Sequence, residues 1–156
     1  KQRSKNVCMD WKRFNEELRE LIKKIDFKPD VIVGVARGGV IPATCLAEQL
    51  EIKNMHSIRV TRVGEERIIE GEVQFDVRDK NVLLVEDMLE TGKGLELAKN
   101  FLESKGANVS TASLYTMPHT EIEPDFFIRE IMYIEHFPWE IEEEKEVVEK
   151  KIVVKH

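Results

Sequence analysis

Two neighbouring carboxylates, Glu86 and Asp87, stand between an apolar run, Val82-Leu83-Leu84-Val85, and the turn Thr91-Gly92-Lys93-Gly94. Four apolar residues without alternation predict a strand buried on both faces, as in a parallel sheet. Such a strand delivers the two acids to its carboxyl end, the edge where open α/β sheets bind ligands. A helical pattern begins at the turn, so residues 91–94 would present unpaired backbone N–H groups, a hydroxyl and a cation, which together suit a phosphate. Two acids beside a phosphate cradle point to a hydroxylated, anionic ligand. Taken alone, the same residues also suit ordinary helix capping and a solvated turn. A Walker-type phosphate loop fits less well, because Gly94 replaces the hydroxyl residue after Lys93 and the position five before Gly92 is not glycine.

The elements needed to position these residues can be read along the chain. Trp11, Phe14, Leu18, Leu21, Ile22 and Ile25 recur at helical spacing over 10–24, with Asp10 as N-cap. After Lys28-Pro29-Asp30, residues 31–35 read as a buried strand, and Gly38-Gly39 opens a helix to about Leu50 that admits Pro42 only in its first turn. Residues 55–61 read as a third element, a strand. A polar connection over 62–79 is longer than the ~2 to 6 residues usual between α/β elements, which suggests a flap or lid, with Ile68, Ile69, Val73 and Phe75 forming a hairpin inside it. The acid-bearing strand, 81–85, leads to a helix over 93–105 that stops at Gly106, and then to a strand over 109–115. Residues 126–128 and 131–134 are further strand candidates, and 140–151 has the charge density of a solvated helix. Two strand-helix-strand units predict a doubly wound, mainly parallel α/β sheet.

Composition narrows the function classes. The 156 residues suffice for one domain with a real core. No apolar run reaches the ~18 residues of a membrane span and no signal segment follows the basic start, so a soluble, cytoplasmic protein is expected, with no membrane partner. Cys8 and Cys45 form no Cys-x-x-Cys pair, and the four histidines form no metal-binding pattern. With a net charge of −6 and interleaved signs, the chain offers no basic footprint for nucleic acid. An anionic substrate would then depend on helix N-termini, a few placed cations and a divalent metal.

The segment 82–94 resembles the phosphoribosyl diphosphate (PRPP) signature of the type I phosphoribosyltransferases. A second block, Val33-Gly34-Val35-Ala36-Arg37-Gly38-Gly39-Val40-Ile41-Pro42, is similar to the diphosphate-binding loop of the bacterial xanthine-guanine members, and the chain as a whole resembles the purine (xanthine-guanine and hypoxanthine-guanine) branch of the family. A third, Phe137-Pro138-Trp139-Glu140, resembles their purine-covering segment. The resemblance implies a single domain over 1–156, with a core at about 27–120, a small hood drawn from the N-terminal region and about 125–156, and a mobile flap at 62–79.

It also implies Mg2+-dependent transfer of a phosphoribosyl group from PRPP to a purine base, giving a nucleoside monophosphate and diphosphate, in purine salvage. Glu86 and Asp87 would hold the ribose hydroxyls and stabilise positive charge on the sugar. Glu90 stands where purine-using members carry an aspartate that accepts the base proton or holds the ring. Residues Thr91, Gly92, Lys93 and Gly94 would wrap the 5′-phosphate, with Gly94 lacking a hydroxyl that many relatives have. Arg37, Gly38 and Gly39 would bind diphosphate, and relatives often carry a non-proline cis peptide just before the residue matching Arg37. Phe137, Trp139 and Thr116 are implied at the base. Asp87, directly or through water, and Glu140 are the implied Mg2+ ligands. A homo-oligomer, dimer or tetramer, is usual among relatives. One departure bears on the base: Leu114-Tyr115-Thr116-Met117-Pro118 lacks the lysine with which oxopurine-using relatives reach O6. Two other functions therefore stay open: transfer to a different acceptor, and a non-catalytic module that senses PRPP or a nucleotide.

Overall fold

The computed structural model describes residues 8–140, so the helix expected over 140–151 lies, past Glu140, outside them. The described residues fall into two compact units, one from 8–16 with 134–140 and the other from Glu17–Tyr133.

The larger unit is built on a six-stranded sheet of order β3-β2-β1-β4-β5-β6. Its strands are β1 (Val31–Ala36), β2 (Met55–Val63), β3 (Glu66–Glu70), β4 (Asn81–Leu89), β5 (Asn108–Thr116) and β6 (Arg129–Glu130). All pairings are parallel except β2 with β3. Three helices accompany them: α1 (Trp11–Lys24), α2 (Val40–Gln49) and α3 (Lys93–Ser104).

Strand alternation assigns α2 and α3 to opposite faces. Val31, Val33, Val35, Val82 and Leu84 share a cluster with Leu95, Ala98 and Leu102 of α3. Gly34 points the other way, and a Cβ on it would stand 3.0 Å from Ala43 Cβ of α2 and 2.8 Å from the Gly39 carbonyl oxygen. A glycine is therefore what lets α2 approach β1 so closely. Both faces of the central strands are covered, which is why their sequences are continuous apolar runs rather than alternating ones.

Three expectations need correction. First, β4 runs on to Leu89, so Glu86 and Asp87 lie inside its last turns of pleat rather than past its end. Second, the hairpin forms between β2 and β3, where Ile68 and Ile69 pair with Thr61 and Val60 as expected of hairpin residues, while Val73 and Phe75 lie outside it. The rest of the 62–79 connection is laid onto the core: Val77 is 2% exposed, Val73 and Phe75 pack beside it, and the Phe75 ring stacks on His56 at 4.1 Å. Apolar residues in the second half of this segment found sheet and helix surface to cover, so the connection is not one continuous loop. Third, residues 126–128 and 131–134 form no regular strand. Phe126 makes an isolated bridge to Ala112, and the strand is the short β6 between them. Residues 125–133 fall in the larger unit, where the Asp125 carboxylate accepts the Thr111 N–H at 2.8 Å.

In the smaller unit the start of α1 is capped as expected, the Arg13 N–H donating to Asp10 Oδ1 at 2.8 Å. Phe14, wholly buried, meets Trp139 edge to face at 5.2 Å, and Phe137 stacks on Trp139 at 4.9 Å. The Met9 N–H donates to the His136 carbonyl at 2.8 Å and ties the two chain segments together. No helix among the described residues is long and apolar enough to cross a membrane.

Candidate functional site

The connection after β1 leads outward through α2 to β2, whereas that after β4 leads the opposite way through α3 to β5. The order of strands thus reverses between β1 and β4, and a crevice opens at their carboxyl ends. Both sequence blocks of the larger unit arrive there: Arg37, Gly38 and Gly39 from β1, and residues 86–94 from β4.

The two blocks touch. A Cβ on Gly38 would lie 2.8 Å from Asp87 Oδ1 and 2.7 Å from its Cγ, so only a glycine lets the backbone settle against that carboxylate. Gly39 is pressed against the Val85 carbonyl, where a Cβ would also collide, and it caps α2 without a side chain. The Ala36-Arg37 peptide is cis. Arg37 is exposed and makes no ion pair among the described residues, which leaves its guanidinium available to an anion.

On β4, Asp87 Oδ1 accepts the Met88 N–H at 2.6 Å, which fixes the orientation of the carboxyl. The Glu86 carboxyl is pushed well above its ordinary value of 4.5, first by burial and then by the negative charge of Asp87. Two acids held this close make a site that favours positive charge between or beside them. Glu90, just past the strand, is exposed.

Gly92 has φ +79° and caps α3 in the left-handed region, which a side chain would resist. Among the described residues the N–H groups of Glu90, Thr91, Gly92, Gly94 and Leu95 make no hydrogen bond, while the Lys93 N–H reaches only the Thr91 hydroxyl at 3.4 Å. Unpaired donors at a helix start, beside a lysine and a threonine hydroxyl, form an anion cradle. A Cβ on Gly94 would meet only Val60 Cγ1, at 3.8 Å. The turn is also walled by a segment that no motif announced: Thr120 and Ile122 fill the space beside the Gly92 α-carbon.

The remaining sequence candidates are dispersed. Thr116 is 4% exposed at the end of β5, so little of its side chain reaches the surface. Phe137 is 1% exposed and covered by Trp139, and Glu140 Oε2 is 3.2 Å from His136 Nδ1, all within the smaller unit.

No three His, Cys, Asp or Glu residues among those described are arranged to hold a metal on their own. A cation at Asp87 and Glu86 would complete its shell with water and ligand oxygens, the habit of Mg2+. Carboxylate donors suit that ion, and a cation there would favour the ionised form of Glu86 that burial and then the charge of Asp87 disfavour.

Paired acids at a switch point, with unpaired donors at the start of the next helix, have the donor types that a sugar phosphate would call for. Residues 8–146 match the family described as the phosphoribosyl transferase domain, and the chain belongs to that family. It is a phosphoribosyltransferase, an enzyme of pentosyl transfer. Its structure is similar to that of the purine phosphoribosyltransferase from Pyrococcus horikoshii Ot3, with 34% identity and a TM-score of 0.81, covering 86% of this chain and 94% of that one. In sequence it is 29% identical over 119 residues to the xanthine-guanine phosphoribosyltransferase of Desulfotalea psychrophila, covering 71% of this chain and 70% of the relative. It is also 29% identical over 125 residues to the hypoxanthine-guanine phosphoribosyltransferase of Lactococcus lactis, covering 72% and 67% respectively.

Proposed function

We propose that the enzyme transfers the 5-phosphoribosyl group of PRPP to a purine base, with Mg2+, giving a nucleoside monophosphate and diphosphate, as in purine salvage. The observation that carries this reading is the meeting of Gly38 with the Asp87 carboxylate, on the strand that leads to the unpaired amides of Glu90, Thr91, Gly92, Gly94 and Leu95. A diphosphate at Arg37 and the Gly38-Gly39 backbone, a ribose at Glu86 and Asp87, and a phosphate at residues 91–94 follow the chemistry that each group of donors can serve.

In the reaction the bond from the anomeric carbon to the diphosphate oxygen breaks, and diphosphate leaves with the electron pair. A ring nitrogen of the base forms the new bond to that carbon and gives up its proton to Glu90 or to water. Glu86 and Asp87 offset the positive charge that grows on the ribose and hold its 2′ and 3′ hydroxyls. Arg37 and the neighbouring backbone amides hold the departing diphosphate. Mg2+, held by Asp87 directly or through water, would neutralise charge on the diphosphate oxygens when bound. To the smaller unit the proposal assigns Phe137 and Trp139 for stacking on the base, and Glu140 for a second Mg2+. Thr116 remains the neutral donor assigned to the base edge.

A second reading is favoured by one feature: residues 114–118 at the end of β5 carry no cation, and Met117 cannot donate a hydrogen bond from its side chain. It gives the same transfer a different acceptor. One experiment separates the possibilities. The protein is incubated with PRPP, Mg2+ and a panel of bases, and diphosphate release is followed for wild type and Asp87→Asn. Release with one purine, lost by orders of magnitude in the variant, supports the purine reading. Release with a non-purine acceptor alone supports the second. PRPP binding with no release from any base would identify a sensing module instead, and the proposed reaction would be withdrawn.

A further inference from the structure

The segment after β5 is absent from the chemistry above, yet its contacts run to the phosphate cradle. The Met117 N–H donates to the Leu89 carbonyl at 2.9 Å, and the Glu121 N–H donates to the Thr91 carbonyl at 2.8 Å. Each carbonyl belongs to a planar trans peptide, the sole cis bond among the described residues being Ala36-Arg37, so the N–H across the same bond must point the opposite way. Those opposite groups are the N–H groups of Glu90 and Gly92, which have no protein partner among the described residues. The segment thus decides the direction in which two donors of the cradle face.

Side chains complete the hold. Thr120 Oγ1 would stand 2.6 Å from a Cβ on Gly92, with Ile122 Cγ2 closer still, so the left-handed glycine is closed in on that side. The Thr120 hydroxyl donates to the Ile122 carbonyl at 2.9 Å, which keeps this short wall in shape, and Ile122 is anchored on the core. The Glu121 carboxylate is a bystander by comparison: its Oε1 lies 3.8 Å from Lys93 Nζ, with both side chains about half exposed, a contact of small energetic weight.

We propose that residues 117–122 are a positioning clamp for the phosphate turn, in which the Met117 and Glu121 N–H groups orient the Glu90 and Gly92 donors toward a phosphomonoester. Thr120 and Ile122 hold Gly92 in the conformation that makes this possible. The inference rests on the reading of residues 90–95 as the phosphate site. A rigid, preset cradle binds more tightly than one that must order itself on contact. The clamp also links the end of β5 to the turn before α3, two loops that the chain separates by a whole helix and strand.

The test is titration calorimetry with ribose 5-phosphate, together with steady-state kinetics in PRPP. Glu121→Pro removes the N–H, and Glu121→Ala removes the carboxylate but keeps the N–H. The proline variant is expected to bind ribose 5-phosphate at least about tenfold more weakly. Its KM for PRPP should rise while kcat at saturation changes less than about twofold, a split that reports lost uniform binding rather than lost chemistry. The alanine variant should recover binding. Proline and wild type binding alike, or alanine failing as badly as proline, would overturn the clamp. Where the proline variant does not fold by circular dichroism, the double variant Thr120→Gly with Ile122→Ala takes its place. Weakening of about fivefold or more then supports the clamp, and unaltered binding overturns it. Wild type that binds neither ribose 5-phosphate nor PRPP would instead remove the phosphate-site reading, and the clamp with it.

Discussion

Gly38→Ala places a single methyl group against the carboxylate most central to the site. The built Cβ lies 2.8 Å from Asp87 Oδ1 and 2.7 Å from Cγ, whereas ordinary contact begins at 3.4 Å. Asp87, whose Oδ2 is nearer still, must therefore retreat by about 0.7 Å or more, or the loop after β1 must lift by as much, and overpacking of this kind costs ~1 to 3 kcal/mol. Retreat is opposed by the 2.6 Å hydrogen bond from the Met88 N–H, which holds the carboxylate where it stands. Misplacing a reacting group by ~1 Å costs on the order of 10²-fold in rate. The expected result is a fall in diphosphate release of roughly that size, with a loss of ~1 to 3 kcal/mol in urea unfolding. A double-mutant cycle isolates the cause. In an Asp87→Ala background the carboxyl group is gone, so Gly38→Ala should cost at least ~1 kcal/mol less than in wild type. Equal costs in the two backgrounds, or full activity in the single variant, would show that Gly38 and Asp87 do not meet as described.

Other outcomes follow from the same geometry. Because the Glu86 carboxyl titrates higher in the folded protein than its ordinary value of 4.5, folding takes up a proton between the two values and the apo protein loses stability as pH rises through that window. Glu86→Gln should thus be more stable than wild type at pH 7 but gain little at pH 4, and denaturant unfolding showing the same gain at both would contradict it. Gly94→Ser has room for its Cβ, with Val60 Cγ1 at 3.8 Å, and adds a donor at the cradle. Ribose 5-phosphate should bind about threefold to tenfold more tightly, in line with one added hydrogen bond to a charged group, and calorimetry showing no gain would place the phosphate elsewhere. Phe137→Ala empties a position that is 1% exposed and should lower stability by ~3 to 5 kcal/mol. An unchanged melting temperature would refute its structural role.

Local pattern accounts for most of what could be read before the structure. An unbroken apolar run can be buried on both faces only inside a parallel sheet, so Val31 to Val35 and Val82 to Val85 announced their own environment. Asp10 capped its helix because a side-chain oxygen there satisfies an N–H that the helix cannot. Glu86, Asp87 and the glycine turn follow one another as strand end, acids and helix start, so their spacing along the chain is already a geometry. Boundaries were less secure. β4 runs four residues beyond Val85, to Leu89, because its neighbour β5 continues beside it to Thr116, and pairing with another strand is invisible in one strand's composition. Phe75 likewise looked like a hairpin residue until His56 supplied a ring to lie on.

What the amino-acid sequence determined by itself was the inventory and its local order: a glycine turn opening a helix, two acids, an arginine beside glycines, and strands that had to be buried. Tertiary structure alone decided that the loop after β1 would rest on the acid of β4, because β1 and β4 become neighbours only when the two crossovers run in opposite directions. It also decided that residues 117–122 would turn two amides toward the cradle and that Thr116 and Phe137 would be enclosed. Burial and the orientation of a peptide plane depend on which distant segment arrives beside it, and no spacing along a single chain records that arrival.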